Sequence, residues 1–456
     1  MKTLIRPDSM RSTLDRWHLT GPSVVPGEPA WDTARQAWNL AVDQQPMAVV
    51  FPRTVADVTA VVEIARTTGA KVVTQGTGHG ASAYGSMSDT ILIRTTQLQE
   101  LAIGDGMARV GAGTLWGDVA DAAGAAGLSG LGGSSPDVGV VGYTLGGGIG
   151  WLARRFGLAS NAVRSIDLVT ADGRLQHTSR EHLPELFWAL RGGGGGLGVV
   201  VGVEMDLFPV TAVIGGTLVW DAHLAPLILP AWSEWTAGLD DSITSIIRFL
   251  NAPDVPGVPE PFRGRHVMTL GLVGVGDPDA IARSVKVMRT IATPTLDSIG
   301  PMPAAELCRL HGDPEGPTAG LSHHTLLGSM EQGAIDALID VAGTDSKERL
   351  ISVEVRHLGG ALARKPKGAG ALSHIGAPYL LNAVGAAHDS EQAAWSYERL
   401  GLTIDAMRPW AAGEYLNFVE RPTRSVFDDA TTRRLAAVKD AVDPTNVFHL
   451  REGVPE

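Results

Sequence analysis

Cysteine is almost missing from this chain: Cys308 is the only one in 456 residues. One thiol cannot build a disulfide framework, a zinc site or an iron–sulfur cluster within one chain. Positive charge is also short, with 37 Lys and Arg against 49 Asp and Glu, a formal net charge of −12. That balance argues against nucleic acid or an anionic membrane as the main partner. No apolar run reaches the length of a membrane span. Met1 to Pro26 carries Lys2, Arg6 and Arg11 without a continuous apolar stretch, so no signal peptide is read there. The expected location is cytoplasmic. The motifs H-E-x-x-H, G-x-S-x-G and a P-loop lysine are all missing, and no metal is expected.

Glycine, in contrast, is abundant. The 56 glycines concentrate between Gly69 and Gly202, within a chain long enough for two or three domains. Clustered glycine marks backbone-built sites, where positive φ or close approach is needed. The first such site follows an apolar run, Lys71 to Gln75, read as a buried strand. It continues Gly76-Thr77-Gly78-His79-Gly80-Ala81-Ser82. Successive N–H groups in a loop of this kind form an anion-binding nest. Gly76-x-Gly78-x-x-Ala81 matches the loose dinucleotide fingerprint, but Ser82 to Asp89 reads as loop where that motif requires a helix. Alone, the stretch fits a phosphate loop holding a histidine and a tight turn with an incidental histidine equally well.

Around it, Trp31 to Asp43 reads as a short amphipathic helix and Ala48 to Phe51 as a strand. Thr54-x-x-Asp57 opens a helix in capping-box style, with Val58, Val61, Val62 and Ala65 as its buried stripe and Gly69 as its end. Thr90 to Ile93 and Ala108 to Gly113 are strands, and Thr114 caps a helix to about Gly127. Ser165 to Arg174 reads as a hairpin around Asp172-Gly173, and Val199 to Leu207 as a strand. Beyond Val210 glycine thins. Strands are expected at 216–220, 245–250, 266–273 and 350–356, with helices from Asp277-Pro278 to about Thr293, Gln332 to Ala342 and Glu391 to Met407.

Two further blocks decide what the His79 loop is. The first runs from Ser135-Pro136-Asp137-Val138-Gly139 through Gly142-Tyr143 to Gly146-Gly147-Gly148-Ile149-Gly150. The second is Leu186 to Arg191, five glycines from Gly192 to Gly196, and then Leu197-Gly198-Val199. In this order and spacing, the three blocks resemble the berberine-bridge-enzyme-like FAD-linked oxidases of the vanillyl-alcohol-oxidase superfamily. Tyr415-Leu416-Asn417-Phe418 and Ala437 to Phe448 match that family's C-terminal motifs. The resemblance covers essentially the whole chain.

It implies an α+β fold: a PCMH-type FAD-binding domain of two α/β subdomains (1–209), a substrate domain with an antiparallel sheet backed by helices (210–409), and a return to the FAD domain (410–456). His79 holds the family position joined covalently to the flavin; the alternative is a histidine packed beside a non-covalent FAD. A second tether in relatives comes from a cysteine where this chain has Ser135, so a single link is expected. The resemblance assigns Gln75, Gly76, Thr77, Gly78, Gly80, Ser82, Ser135, Pro136, Val138, Gly139, Gly142, Tyr143, Gly147, Gly148, Gly150, Val199 and Asn417 to the cofactor. Arg154, Arg155 and Arg191 fit either phosphate contacts or structural and solvated roles.

Catalytic candidates are Tyr415, as base or as pocket wall, with Glu354 and His374. Tyr415 and Arg356 are substrate candidates. Glu354 and Arg356 share a face if extended, lining a pocket or forming a surface ion pair. On an extended segment Tyr415 and Asn417 also point to one side. His323 and His324, as neighbours on a strand, cannot both face one ligand. A carboxylate that relatives place near the Leu381 position is missing. The implied activity is oxidation of a small organic molecule, at an alcohol or amine carbon, by hydride transfer to FAD. Oxygen then reoxidises the flavin with release of hydrogen peroxide, in secondary metabolism or catabolism. A dehydrogenase with another acceptor and a flavin-carrying protein that sequesters a metabolite keep the same scaffold. The expected partners are the small-molecule substrate and O2, in a monomer or homodimer.

Overall fold

A computed structural model describes residues 7–254, 258, 260, 262–343, 350–420 and 426–455. The first sheet has four strands in the order Ser23–Val24, Ala48–Val50, Thr90–Arg94 and Lys71–Gln75. Its last three strands are parallel and nearly all buried, as a sheet covered on both faces demands. The helix Val55–Thr68 crosses between Ala48–Val50 and Lys71–Gln75. Thr54 and Asp57 form the expected reciprocal cap, and Gly69 ends the helix in the left-handed region at φ 76°.

A second sheet is antiparallel, in the order Leu101–Gly104, Met107–Gly111, Val199–Asp206, Val163–Val169 and Leu175–Ser179. It shares one hydrophobic core with the first sheet. The expected hairpin over 165–174 is present, with Gly173 at φ 77°.

The third sheet is larger, with nine antiparallel strands. Its central members are His266–Gly274, Ile243–Asn251, Ser352–His357, Tyr379–Ala386 and Gly320–Leu327. Strand alternation divides it cleanly. Ile247, Phe249, Val353, Val355, Leu381 and Ala383 enter a core with the helices Ala225–Ala237, Pro278–Ile291, Gln332–Ala342 and Ser390–Met407. Arg248, Glu354, Arg356, Asn382 and His324 occupy the alternate positions and face the glycine-rich module.

Three expectations change. Trp31–Asp43 is helical only over Trp31–Arg35. Beyond it the backbone N–H groups of Trp38 and Asn39 bond to the carbonyls of Thr77 and Gly78, so the chain serves the His79 loop instead of winding on. The helix expected from Thr114 begins at Trp116, because the Thr114 hydroxyl bonds to the Glu100 carbonyl. The segment after Tyr415 turns into a 3₁₀ helix over Leu416–Phe418 and is not extended. Its two polar side chains still meet, with Asn417 Nδ2 donating to Tyr415 Oη at 3.1 Å. The buried arginines of the glycine module bond to protein carbonyls, which fits the structural one of their two expected roles. Arg154 donates to the carbonyls of Ile243, Leu239, Asp240 and Leu358, and Arg191 to those of Phe187 and Gly368.

The helix Asp429–Val442 and the residues after it pack on the FAD-type sheet: Val72 N–H bonds to the Val447 carbonyl and His449 N–H to the Val72 carbonyl. Lys439 and Asp443 lock this turn. Asp443 is fully buried, pairs with Lys439 Nζ at 2.6 Å and accepts the N–H groups of Val447 and Phe448. Lys439 also reaches the carbonyls of Gly196 and Phe448. Asp443→Ala leaves that ammonium buried and unpaired, so unfolding in denaturant is expected to show a loss of about 3–5 kcal/mol.

Candidate active site

The strand Lys71–Gln75 delivers the loop bearing His79. Gly78 turns it at φ 99°, where an added Cβ would stand 2.9 Å from the Trp38 backbone nitrogen. His79 stacks on the Trp38 indole, with centroids 4.0 Å apart and planes 18° apart. Its Nδ1 lies 2.7 Å from Thr77 Oγ1. Its Nε2 stands 3.4 Å from Asp137 Oδ1 without a hydrogen-bond partner among the described residues.

Asp137 joins several segments. It accepts the Trp38 indole N–H at 2.6 Å, the Ser135 hydroxyl at 2.7 Å and the Gly316 N–H at 2.9 Å. Burial pushes its carboxyl up, yet His79, Gly316, Ser135 and Trp38 together hold it well below the usual carboxylate range. Asp137 lies within the Ser135–Gly139 motif, where the sequence alone assigns it no role. Its Asp-for-neutral character in a glycine-rich stretch was the available signal.

After Asp137, a short helix over Val140–Leu145 leads into Gly146-Gly147-Gly148, the latter two at φ 115° and 83°. An added Cβ at Gly150 would lie 1.8 Å from the Gly132 carbonyl oxygen. At Gly80, Gly139 and Gly142 it would meet nothing within 4 Å. Tight packing behind the glycines and open space before others is what a backbone-lined cofactor cleft needs. With the unpartnered His79 Nε2, these residues fit a flavin nucleotide. Gln75 is buried, bonded by Gln44, and Ser82 lies in the 3₁₀ turn Ala81–Tyr84. Pro136 accepts from Gly117 N–H, and Val138 from Trp116 N–H, through their carbonyls. Tyr143 donates to the Leu131 carbonyl, and Val199 is fully buried in the five-stranded sheet.

Tyr415 is buried against this turn. Its oxygen accepts from Gly148 N–H at 2.9 Å and from Asn417. Burial pushes its pKa to about 12 despite those two donors and nearby Arg356. Its backbone N–H donates to His324 Nε2 at 2.8 Å. Burial drops the His324 pKa to about 3, which keeps the ring neutral.

Across the cleft, Glu354 and Arg356 are buried, so they are no surface pair: Arg356 Nε donates to Glu354 Oε1 at 2.7 Å. Glu354 Oε2 meets His311 Nε2 at 2.8 Å, and His311 Nδ1 meets Asp313 at 2.6 Å. Arg248 approaches the same ring and donates to the His311 carbonyl. Burial pushes the Glu354 carboxyl up, but Arg356 and His311 bring it far below its ordinary value. Burial lowers His311, and Asp313 and Glu354 together leave it raised. Sequence reading missed Arg248, His311 and Asp313. Their only signal was the His311-Gly312-Asp313 spacing in a loop that no family motif covers. His374 is exposed, beside the Ser373 hydroxyl, and is not drawn into this cluster.

A family model described as an FAD binding domain matches residues 46–179, and one described as berberine and berberine like matches 423–455. The chain is an FAD-linked oxidoreductase that carries both of these domains. An uncharacterized FAD-linked oxidoreductase, YgaK of Bacillus subtilis, is 24% identical over 97% of this chain and 98% of the relative. The (R)-6-hydroxynicotine oxidase of Paenarthrobacter nicotinovorans is 26% identical over 71% of this chain and 67% of its own length. The solved structure of Physcomitrella patens BBE-like 1 shares the fold at a TM-score of 0.85 and 22% identity, covering 98% of this chain and 99% of that one. Among the described residues of this FAD-linked oxidoreductase, no helix is long and apolar enough to cross a membrane, and no group of three metal-ligating side chains converges.

The charged cluster gives a pH test. The lowered carboxyls of Glu354 and Asp313 stabilise the fold above the ordinary carboxylate range and lose that effect as pH falls through their folded values. The raised His311 stabilises below its ordinary value and loses the effect as pH rises through its folded one. Both contributions are complete from about pH 5 to about pH 6.5. The Tm advantage of the native protein over His311→Gln is expected to peak there and shrink toward alkaline pH, as read by thermal melts across pH.

Proposed function

We propose that this FAD-linked oxidoreductase is an oxidase of a small organic molecule, with its flavin held by one covalent bond to His79. When bound, FAD would supply the hydride acceptor for oxidation of a carbon bearing an alcohol or amine, and O2 would be the terminal acceptor, leaving as hydrogen peroxide. The observation that carries the reading is His79: a half-buried imidazole stacked on Trp38, with Nε2 free of a hydrogen bond among the described residues, on a glycine loop beside open space. The Thr77 hydroxyl at Nδ1 and the Trp38 indole on its face fix the ring, so it meets a cofactor edge in one orientation. A relative named as an oxidase supports oxygen as acceptor. Ser135 holds Asp137 through its hydroxyl and offers no thiol for a second bond.

Gln75, the nest Gly76 to Gly80 and Ser82 are assigned to the pyrophosphate end. Ser135 to Gly142, Tyr143, Gly147, Gly148, Gly150, Val199 and Asn417 are assigned to the rest of the cofactor. The open sheet face, with Arg356, is assigned to substrate. Tyr415 keeps its proton at neutral pH because burial lifts its pKa to about 12. Its lone pairs are engaged by Gly148 and Asn417, which leaves the phenol hydrogen for an acceptor on the substrate. Glu354 is held by two cations and is a weak base. His374 lies exposed, apart from both. The reading therefore gives Tyr415 a positioning and hydrogen-bonding role, and it favours a substrate that loses its proton without a strong protein base.

Two measurements test this. Acid precipitation is expected to leave yellow flavin in the pellet, and His79→Ala to release it as free FAD. A colourless pellet from the native protein refutes the covalent bond. Tyr415→Phe is expected to slow anaerobic flavin reduction at saturating substrate by less than about tenfold. Removal of a positioned base typically costs about 10²–10⁴-fold, and a loss in that range would restore the base role to Tyr415.

A further inference from the structure

Around Arg356, the face of the nine-stranded sheet toward the glycine-rich module carries more cationic than anionic groups. Arg248, Arg356 and His311 gather around two carboxylates, Glu354 and Asp313. The nearby imidazoles do not alter the balance, since burial keeps His324 and His357 neutral, each with a pKa near 3. This local sign runs against the chain as a whole, whose net charge is −12. Composition therefore does not explain it.

Arg356 is the group with capacity to spare. It is 9% exposed, yet Nε is the only one of its nitrogens that is hydrogen-bonded among the described residues, and that bond goes to Glu354. Among the described residues, neither terminal nitrogen has an acceptor. The guanidinium carbon lies 5.1 Å over the Phe418 ring, on the segment that bears Tyr415 and Asn417. It borders a cavity shared with Ile149, Gly150 and Trp151 of the glycine-rich turn. Neither terminal nitrogen is among the fully buried unpartnered atoms, so both reach the cleft, where a ligand can supply acceptors. Parallel N–H groups of a guanidinium match the two oxygens of a carboxylate. Glu354 occupies the Nε side, which leaves the terminal fork open. Phe418 and Trp151 offer aromatic walls for a carbon skeleton.

We propose that this cleft takes an organic acid as its anion, with the carboxylate received end-on by the two terminal nitrogens of Arg356. The inference rests on the cleft being the substrate site and adds the substrate's charge class. Glu354 then acts as a positioning residue: held by His311, it fixes the guanidinium so that the fork faces the cleft. Arg248 and His311 add the field that favours a negative ligand over a neutral one.

The test uses the purified holoprotein and matched pairs of ligands: acetate and acetamide, benzoate and benzamide, indole-3-acetate and its amide. Binding is followed by perturbation of the flavin absorbance, without turnover. At least one carboxylate is expected to bind ten times or more tighter than its amide. The preference should weaken with added salt, vanish in Arg356→Gln and survive in part in Arg356→Lys. Equal binding of acid and amide, absence of binding by every carboxylate, or an unchanged preference in folded Arg356→Gln would each overturn the proposal. If Arg356→Gln does not fold, the comparison in native protein decides alone. A protein that holds no FAD at all fails earlier and separately: it removes the reading of the cleft, and this inference with it.

Discussion

One carboxylate holds the cofactor side of this protein together. Asp137 receives an indole N–H, a hydroxyl and a backbone N–H from Trp38, Ser135 and Gly316, and faces His79. These groups come from sequence-distant segments, and glycine loops have no side chains with which to fix themselves. A charge-assisted hydrogen bond is roughly twice as strong as a neutral one. Concentrating three at one anion makes the loops rigid from outside while their inner faces stay bare. The anion is affordable because its donors replace the water that burial removes. Trp38 shows the arrangement from the other end. Its ring stacks on His79, its indole binds Asp137, and its backbone binds Thr77 and Thr318.

The sheet face opposite obeys a different constraint. Five charged groups there are largely withdrawn from water, and each would be costly alone. They coexist because signs alternate along the chain of contacts, from Asp313 through His311 and Glu354 to Arg356. An imidazole between two carboxylates donates from both nitrogens only when protonated. The cluster is thus a source of fixed charge, unsuited to moving protons. That separates the two sides of the cleft by task. One side presents backbone amides and a histidine; the other presents an oriented electric field.

Local chemistry made much of this visible in the sequence. Thr54, Asp57 and Gly69 announced their helix because caps and a C-terminal glycine act over a few residues. The strand Lys71–Gln75 and its glycine loop were legible for the same reason. Trp31–Asp43 misled because its periodicity was helical while its N–H groups were claimed by Thr77 and Gly78, about forty residues away. The pairing of Glu354 with Arg356 followed from strand alternation, but not its burial, which depends on the sheet's docking against the glycine module. His311 and Asp313 were invisible because nothing near them in sequence says that the loop folds back over Glu354. Contacts across long separations, in loops without punctuation, are where single-sequence reasoning stops.

The strand that carries the His79 loop lies at the edge of its sheet, and its outer side is closed by residues 447 and 449. The partner arrives nearly four hundred residues later in the chain. At synthesis rates of about 5–20 residues per second, that strand waits on the order of 20–80 s on the ribosome before its edge can be sealed. Throughout the interval it presents unpaired backbone groups of the kind that invite pairing with other chains. Two features blunt that exposure: the strand is only five residues long, and it opens with a lysine. The order of biosynthesis thus leaves the cofactor loop on an unfinished edge until the last part of the chain is made.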